Sequence, residues 1–377
     1  MEVNTDLHVH SKYSQGVSNK MEIPVIASES EKKGIDIVGT GDILHPQWMR
    51  HVEETTTGKG LRKYENTYFA LTTEVEDKNR VHHVLIFPSM QAVEAAYHDF
   101  KQISKDIRRE GRPRINASGA KIAEIAEKHG ILIGPAHMFT PYTGLYGNHK
   151  SLQECYTNCT DVVSFAELGL SADSRMASQI SDHDKLSLLS NSDAHSPWPY
   201  RLGREFNKFQ VKNWSFKHLS KAIRKGPELN LGLDPREGKY YRTACNKCHN
   251  IYTLKKAEKL SWRCNNCTGL IKKGVKERVK ELSDQEPDNH LEYLYLPPLS
   301  NIIQILEGHS SPNTKTVQKR WNKLHRKLGS EAYIIVEAKI GEIKKVDDEV
   351  AEAIRKFRMQ DYDFKEGGGG KYGQIIL

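Results

Sequence analysis

Seven short apolar runs punctuate the first part of the chain, and nearly every one ends on or beside a histidine or a carboxylate. The runs are Val3–Leu7, Ile35–Thr40, Tyr68–Glu74, Val81–Phe87, Ile131–Ala136, Val162–Glu167 and Lys185–Asn191. Helical patterns such as Ile23–Lys33, Gln91–Arg109 and Ala120–His129 lie between several of them. Asn116-Ala117-Ser118 with Glu124 marks the start of the last of these helices, and His129-Gly130 its end. Strands alternating with helices predict a parallel sheet, and about seven strands predict a barrel. In such barrels the active site gathers on loops at the C-terminal ends of the strands.

The polar residues keep that phase. His8-Val9-His10 follows the first run, and residues two apart in an extended segment share a side, so both imidazoles can reach one ion. Asp42 and His45 follow the second run, Glu74 ends the third, and His82 and His83 sit in the fourth. His137 follows the fifth, Glu167 ends the sixth, and Asp193 and His195 follow the seventh. One His-x-His alone is weak evidence, but core histidines satisfied by hydrogen bonds would not recur at strand ends. Imidazole with carboxylate suits transition-metal ions such as Zn, Mn or Fe, and a bridging carboxylate lets two ions sit ~3.5–4 Å apart. Such a pair polarises a phosphate oxygen and lowers the pKa of a bound water, which predicts a metal-dependent phosphoesterase.

The rest of the chain differs in charge and in cysteine use. Residues 1–210 hold 24 Lys+Arg against 27 Asp+Glu and 12 of the 17 histidines, whereas residues 211–377 hold 32 against 21. An acidic, His-rich part beside a basic part suits a metal site joined to a surface for a polyanion. Cys245-Asn246-Lys247-Cys248 and Cys264-Asn265-Asn266-Cys267, separated by 15 residues, have the spacing of a four-cysteine structural zinc ribbon. A redox dithiol normally presents a single such pair. Around the ribbon, Arg242, Lys247, Lys255, Lys256, Lys259 and Arg263 alternate with Tyr240, Tyr241, Tyr252 and Trp262. Cations for phosphates beside aromatics for bases suggest a nucleic-acid surface, although the aromatics could equally pack a small core. The basic segment Lys272–Lys280 and the cluster Lys315, Lys319, Arg320, Lys323, Arg326 and Lys327 extend the expected patch. The divisions expected are a catalytic barrel over 1–225, a ribbon over 240–270 and a basic, mostly helical DNA-binding region over 271–377. Gly367–Gly370 reads as a flexible linker. With no apolar run near ~18 residues and no leader pattern, a reduced, cytoplasmic protein is expected.

Asp6-Leu7-His8-Val9-His10-Ser11, Ala136-His137 and Asn191-Ser192-Asp193-Ala194-His195 resemble the motifs of the PHP (polymerase and histidinol phosphatase) family. The resemblance implies a distorted (β/α)7 barrel with two to three divalent metals, Zn, Mn or Mg. It implies that His8, His10, Glu74 and Asp193 hold one ion, and that Glu74 bridges to a second completed by His83 and His137. His195 would help hold a third. The chain departs from the family pattern at Gln15-Gly16 and at Thr40-Gly41-Asp42, so a third site would use Asp42 with His45 in support. His83 is favoured over His82 because His83-Val84-Leu85 resembles the family's run.

His45-Pro46-Gln47-Trp48, Ala166-Glu167-Leu168-Gly169-Leu170-Ser171-Ala172-Asp173 and the ribbon that follows further resemble the endonuclease Q branch of that family, over residues 1 to about 270. That branch implies a DNA-repair endonuclease cutting 5′ to deaminated bases (uracil, hypoxanthine, xanthine) and abasic sites. Asp193, Glu74 and His195 would be catalytic, and Ser171, Asp173 and Glu167 would line the base pocket. A small-molecule phosphatase of the histidinol-phosphate type has no use for the ribbon and basic region. A non-catalytic DNA-binding scaffold would have lost ligands that survive here.

Overall fold

The protein is described by a computed structural model that covers residues 1–288 and 292–377. All seven apolar runs form strands: β1 (Glu2–Asp6), β2 (Ile37–Gly39), then, after the short edge strand β3 (Arg62–Tyr64), β4 (Thr67–Glu76), β5 (His82–Phe87), β6 (Leu132–Pro135), β7 (Phe165–Glu167) and β8 (Ser187–Leu189). β1, β2 and β4 are parallel neighbours, and β5 and β6 continue the sheet. A parallel bridge from Ile133 to Val163 passes the ring on to β7, which is parallel to β8. The bridge from Ala194 back to Val9 closes it. The result is the expected seven-stranded barrel, distorted at two places.

The first distortion is between β4 and β5. No helix intervenes there. Asp77 Oδ1 accepts hydrogen bonds from the backbone of Asn79 and Val81 at 2.7 and 2.8 Å, which tightens the turn so that β5 returns antiparallel. The second is at β1, whose residues Glu2 to Thr5 pair antiparallel with β9 (Phe206–Gln210), itself antiparallel to β10 (Leu229–Gly232). Two apolar layers follow from strand alternation. Leu7, Ile37, Ala70, Val84, Ile86, Leu132, Phe165 and Leu189 form a cluster inside the ring. Val38, Phe69, Leu71, Leu85 and Phe87 face outward into a larger core with the surrounding helices.

The ribbon is built on the two-residue strands β11 (Ala244–Cys245) and β12 (Ile271–Lys272). The chain then returns, and β13 (Tyr293–Tyr295) pairs in parallel with β10, so the C-terminal part contributes a strand to the main sheet. Its helices share the outer core through Ile302, Trp321, Ile334 and Phe357. A fully buried ion pair fastens them, with Lys33 Nζ 2.6 Å from Glu331 Oε1. Glu331 also accepts from Leu299 N and Trp321 Nε1. Removing one partner of such a pair typically costs about 3–5 kcal/mol.

The glycine run is not a linker. It is the turn of a hairpin between β14 (Asp363–Lys365) and β15 (Gln374–Ile376) that lies flat on the ribbon. Arg242 N donates to Gly367 O at 3.0 Å, and Gly370 N to Lys239 O at 2.9 Å. A side chain at Gly369, which has φ +60°, would collide with the carbonyl of Cys245. Close backbone approach, not flexibility, is what these glycines supply. No helix among the described residues is long and apolar enough to cross a membrane.

Candidate metal centre

The strand ends of the barrel deliver a compact cluster of nitrogen and oxygen donors. His10 Nε2 lies 3.4 Å from Glu74 Oε2 and 3.1 Å from Asp193 Oδ1. His8 Nε2 lies 3.6 Å from Glu74 Oε1 and 3.8 Å from Asp193 Oδ1. Two donors each ~2.1 Å from one ion stand roughly 3–3.6 Å apart, so nearly all these separations fit a shared cation. Both Nε2 atoms and Asp193 Oδ1 are buried without a hydrogen-bond partner among the described residues. Orphaned donors facing one point are costly unless something positive sits between them. The residues present therefore fit a divalent metal.

A second layer aims this first one. His8 Nδ1 lies 2.9 and 3.0 Å from the two oxygens of Glu167, and His10 Nδ1 lies 3.0 Å from Asp42 Oδ1. Such carboxylates fix ring orientation and tautomer and raise ligand basicity. Burial disfavours charge on both imidazoles, but Glu167 and Glu74 at His8, and Asp42, Asp193 and Glu74 at His10, outweigh it and raise both well above the usual histidine value. Burial likewise works against the Glu74 and Asp193 carboxylates. At Glu74, His82, His8, His10 and His137 overcome it, and at Asp193, His10 and His8 do, so both stay below the usual range. The backbone is also shaped for the site: Asp42, His137 and Asp193, each just past a strand, have φ of 49°, 28° and 48°. Non-glycine residues seldom adopt that region, and such strain collects at functional sites.

Several expectations need correction. His83 does not join Glu74 and His137; His82 does, with Nδ1 2.8 Å from Glu74 Oε1, beside His137 Nε2 at 3.0 Å from the same oxygen. The reason is parity. His82 shares its strand face with Val84 and Ile86 of the barrel interior, whereas His83 faces outward with Leu85 and Phe87. Asp42 does not found a third ligand set, because its Oδ2 already accepts from Ser11 N, Ser11 Oγ and Ser14 Oγ at 2.6, 2.7 and 2.9 Å. His45 stacks on Tyr13 with ring centroids 4.2 Å apart and stands outside the cluster. Glu167 is buried behind His8 and also accepts from His137 N at 2.9 Å, an arrangement that orients ligands. Asp173 caps the helix Ser174–Ala177 and accepts from Tyr295 Oη at 2.8 Å. Ser171 lies half-buried in the loop after β7, and its neighbour Gly169 sits against His137.

His195 gathers with His10 and Asp193 in a further donor group, its side chain 38 % exposed and that of Asp193 29 %, so the cluster opens to solvent on this side. Arg112, which sequence reasoning missed, donates from Nη1 to Glu74 Oε2 at 3.3 Å. It sits in an irregular stretch, Arg112-Pro113-Arg114, where no periodicity singles it out.

In the ribbon, the four cysteines lie together, with Sγ–Sγ separations of 3.4, 3.5 and 3.7 Å for the pairs 245–267, 248–264 and 264–267. Those are close to the edges of a tetrahedron around zinc with ~2.3 Å bonds. Backbone N–H groups of Lys247 and Asn266 donate to Cys245 and Cys264. A hydrogen bond from Tyr252, with that from Asn266 N, brings the Cys264 thiol down to about 6. Tyr241 and Tyr252 are buried, the latter with Trp262 packed against the same small core, so for these aromatics packing is the role. Arg242 is held by Glu277 and Glu366, and Arg320 by Glu307, Asp347 and Glu349. Lys247, Lys255, Lys256, Lys259 and Arg263 remain exposed on the ribbon, and Lys315, Lys319, Arg326 and Lys327 on the helix Lys315–Leu328.

Comparison with known proteins places these features. The MJ0043 C-terminal domain family matches residues 298–361, the helical part fastened by Glu331. Protein MJ0043 of Methanocaldococcus jannaschii is 44 % identical over 246 residues, 63 % of this chain, which spans only 31 % of that protein's length. YqxK of Bacillus subtilis is 33 % identical over 380 residues, covering 93 % of this chain and 91 % of YqxK. Among solved structures, the lesion-specific endonuclease PfuEndoQ from Pyrococcus furiosus is 45 % identical, with TM-score 0.97 and coverage of 100 % of this chain and 96 % of that one. An endonuclease Q complexed with a 27-mer duplex carrying an abasic lesion at the active site is also 45 % identical, with TM-score 0.94 and coverage of 100 % and 97 %.

Proposed function

This chain belongs to the endonuclease Q family, and from that premise we propose that it is a lesion-specific DNA-repair endonuclease that hydrolyses the phosphodiester 5′ to deaminated bases and abasic sites. The observation that carries the reading is the orphaned donor set of His8, His10 and Asp193 around Glu74, in a chain alike over its whole length to an enzyme that recognises DNA lesions. His8, His10, Glu74 and Asp193 would hold one ion, and Glu74, His82 and His137 a second, with His195 beside Asp193 at the open side. Divalent metals bound there would supply Lewis-acid polarisation of a phosphate oxygen and a water of lowered pKa.

The chain's own residues do the rest. Glu167 and Asp42 keep the imidazoles of His8 and His10 turned toward the cluster. Arg112 brings a guanidinium to the same carboxylate that joins the two donor groups, a suitable partner for a phosphate. The solvent-open side at Asp193 and His195 gives a strand access to the cluster. A lesion in a duplex must leave the stack, at a cost of a few kcal/mol that is lowest for damaged or mismatched bases. The exposed lysines and arginines of the ribbon and C-terminal helix would grip the phosphates on either side.

Matched oligonucleotide duplexes that differ by one uracil, hypoxanthine or abasic site, incubated with Mn or Mg, test the reading. A nick on the 5′ side of the lesion, absent from the undamaged duplex and from Asp193→Ala, is the expected outcome. Intact DNA together with brisk hydrolysis of histidinol phosphate would move the assignment to a small-molecule phosphatase.

A further inference from the structure

The histidine that turned away from the barrel interior has partners of its own. His83, fully buried, meets Asp77 from the β4–β5 turn and Cys155 from the helix Leu152–Tyr156, both 3 % exposed. One donor atom from each lies within 4.8 Å of the others. Two of these donors are orphans: His83 Nε2 and Asp77 Oδ2 are buried and have no hydrogen-bond partner among the described residues. They face each other at 3.6 Å, too far for a hydrogen bond and suited to two donors of one ion at ~2.0–2.2 Å each. The other atoms of these groups are committed. Asp77 Oδ1 closes its turn, and His83 Nδ1 shares a 2.7 Å hydrogen bond with Tyr156 Oη, the outer partner a ligating imidazole ordinarily has. Gly119 leaves room for the group, since a Cβ there would stand 2.7 Å from Cys155 Sγ and 3.1 Å from His83 Cε1.

We propose that Asp77, His83 and Cys155 form a buried structural site for a thiophilic divalent cation of the zinc type. Carboxylate, imidazole and thiolate are all zinc ligands, and two anionic donors neutralise a dication in a place where net charge would be expensive. The ion ties the β4–β5 turn to a helix more than seventy residues later in the chain. It also braces β5 from behind. The adjacent pair His82-His83 then serves two sites on opposite faces of one strand, and the rear site fixes the position of the histidine at the front.

The competing account is a hydrogen-bonded relay of Tyr156, His83 and Asp77 with no metal. Zinc alone distinguishes them. The full-length protein is equilibrated with buffered Zn2+, desalted, and its metal content counted. Cys155→Ser and His83→Gln are expected to hold one ion fewer per chain than the wild type, with the ribbon still loaded. Equal metal content would overturn the proposal. Zinc-edge anomalous scattering from crystals of the wild-type protein needs no variant to fold: a peak between Asp77, His83 and Cys155 is expected. Its absence while the ribbon shows one would refute the site.

Discussion

The barrel cluster and the ribbon are both built to hold metal, yet they are made in opposite ways. In the ribbon all ligands are thiols, supplied by two turns close in sequence and engaged by backbone N–H groups. In the barrel the ligands are mixed nitrogen and oxygen donors from five strand ends, several without a hydrogen-bond partner among the described residues, and the set opens to solvent on one side. A closed set of four like ligands leaves no position for a substrate, whereas an incomplete mixed set does. The contrast separates holding the protein together from acting on something else.

The strongest test of that contrast is Asp193→Asn, which keeps shape and tolerates the left-handed backbone while weakening a ligand oxygen. Nicking should fall by more than about 100-fold, beyond the range for outer-layer partners, while melting of the ribbon stays where it was. Activity close to the wild type would break the assignment of the open site. Cys264→Ala should act in the mirror sense: the ribbon loses its ion and its fold, since structural zinc and folding are coupled, and DNA affinity drops. Metal bound at the barrel, counted in the same sample, should be unchanged. Should ribbon folding and DNA binding both survive, the ribbon is not structural.

The next effect is smaller. Asp42→Asn and Glu167→Gln should each lower metal affinity or turnover by about 10–100-fold, because they only orient ligands. A loss as large as that of Asp193→Asn would instead make Asp42 a ligand. The last effect is on stability and leaves turnover alone. Glu205, wholly buried, has one oxygen without a partner among the described residues, and burial pushes its carboxyl up from 4.5 to about 8. The folded protein therefore keeps this proton while the unfolded chain releases it, so stability falls as pH rises from about 4.5 to 8 and then levels off. Glu205→Gln should flatten that part of the curve in chemical denaturation across pH, and an unchanged slope would show that the burial penalty is relieved elsewhere.

What could be read from the residues follows the same division. The ribbon was legible because its ligands are near neighbours, and spacing is enough to define them. The barrel strands were legible as apolar runs, and His8, His10, Glu74, His137 and Asp193 by their place at strand ends. His82 and His83 were not separable, since all six residues of β5 are buried and no alternation of polarity marks the inner face. Parity there is set by a helix-free turn that only the three-dimensional pairing reveals. Asp42 was expected as a ligand of a third ion, and its saturation by Ser11 and Ser14 depends on a loop 28 to 31 residues away. Arg112 left no signal, because an isolated arginine in irregular chain looks like solvated surface.

The placement of β1 has a consequence for how the molecule comes into being. Its strand lies in the middle of the sheet, and Leu7 N waits for Asn191 Oδ1, 184 residues further along. On a ribosome adding 5–20 residues per second, roughly 10–40 s separate the first histidines from the aspartate that completes their site. During that interval the nascent chain offers His8 and His10 without Asp193, so the donor set these three share with Glu74 stays incomplete until the last strand arrives. The ribbon, whose cysteines span 22 residues, has all its ligands within a few seconds of the first. The two ligand sets are therefore completed on different clocks, and the set that opens to solvent is the one that waits for the whole barrel.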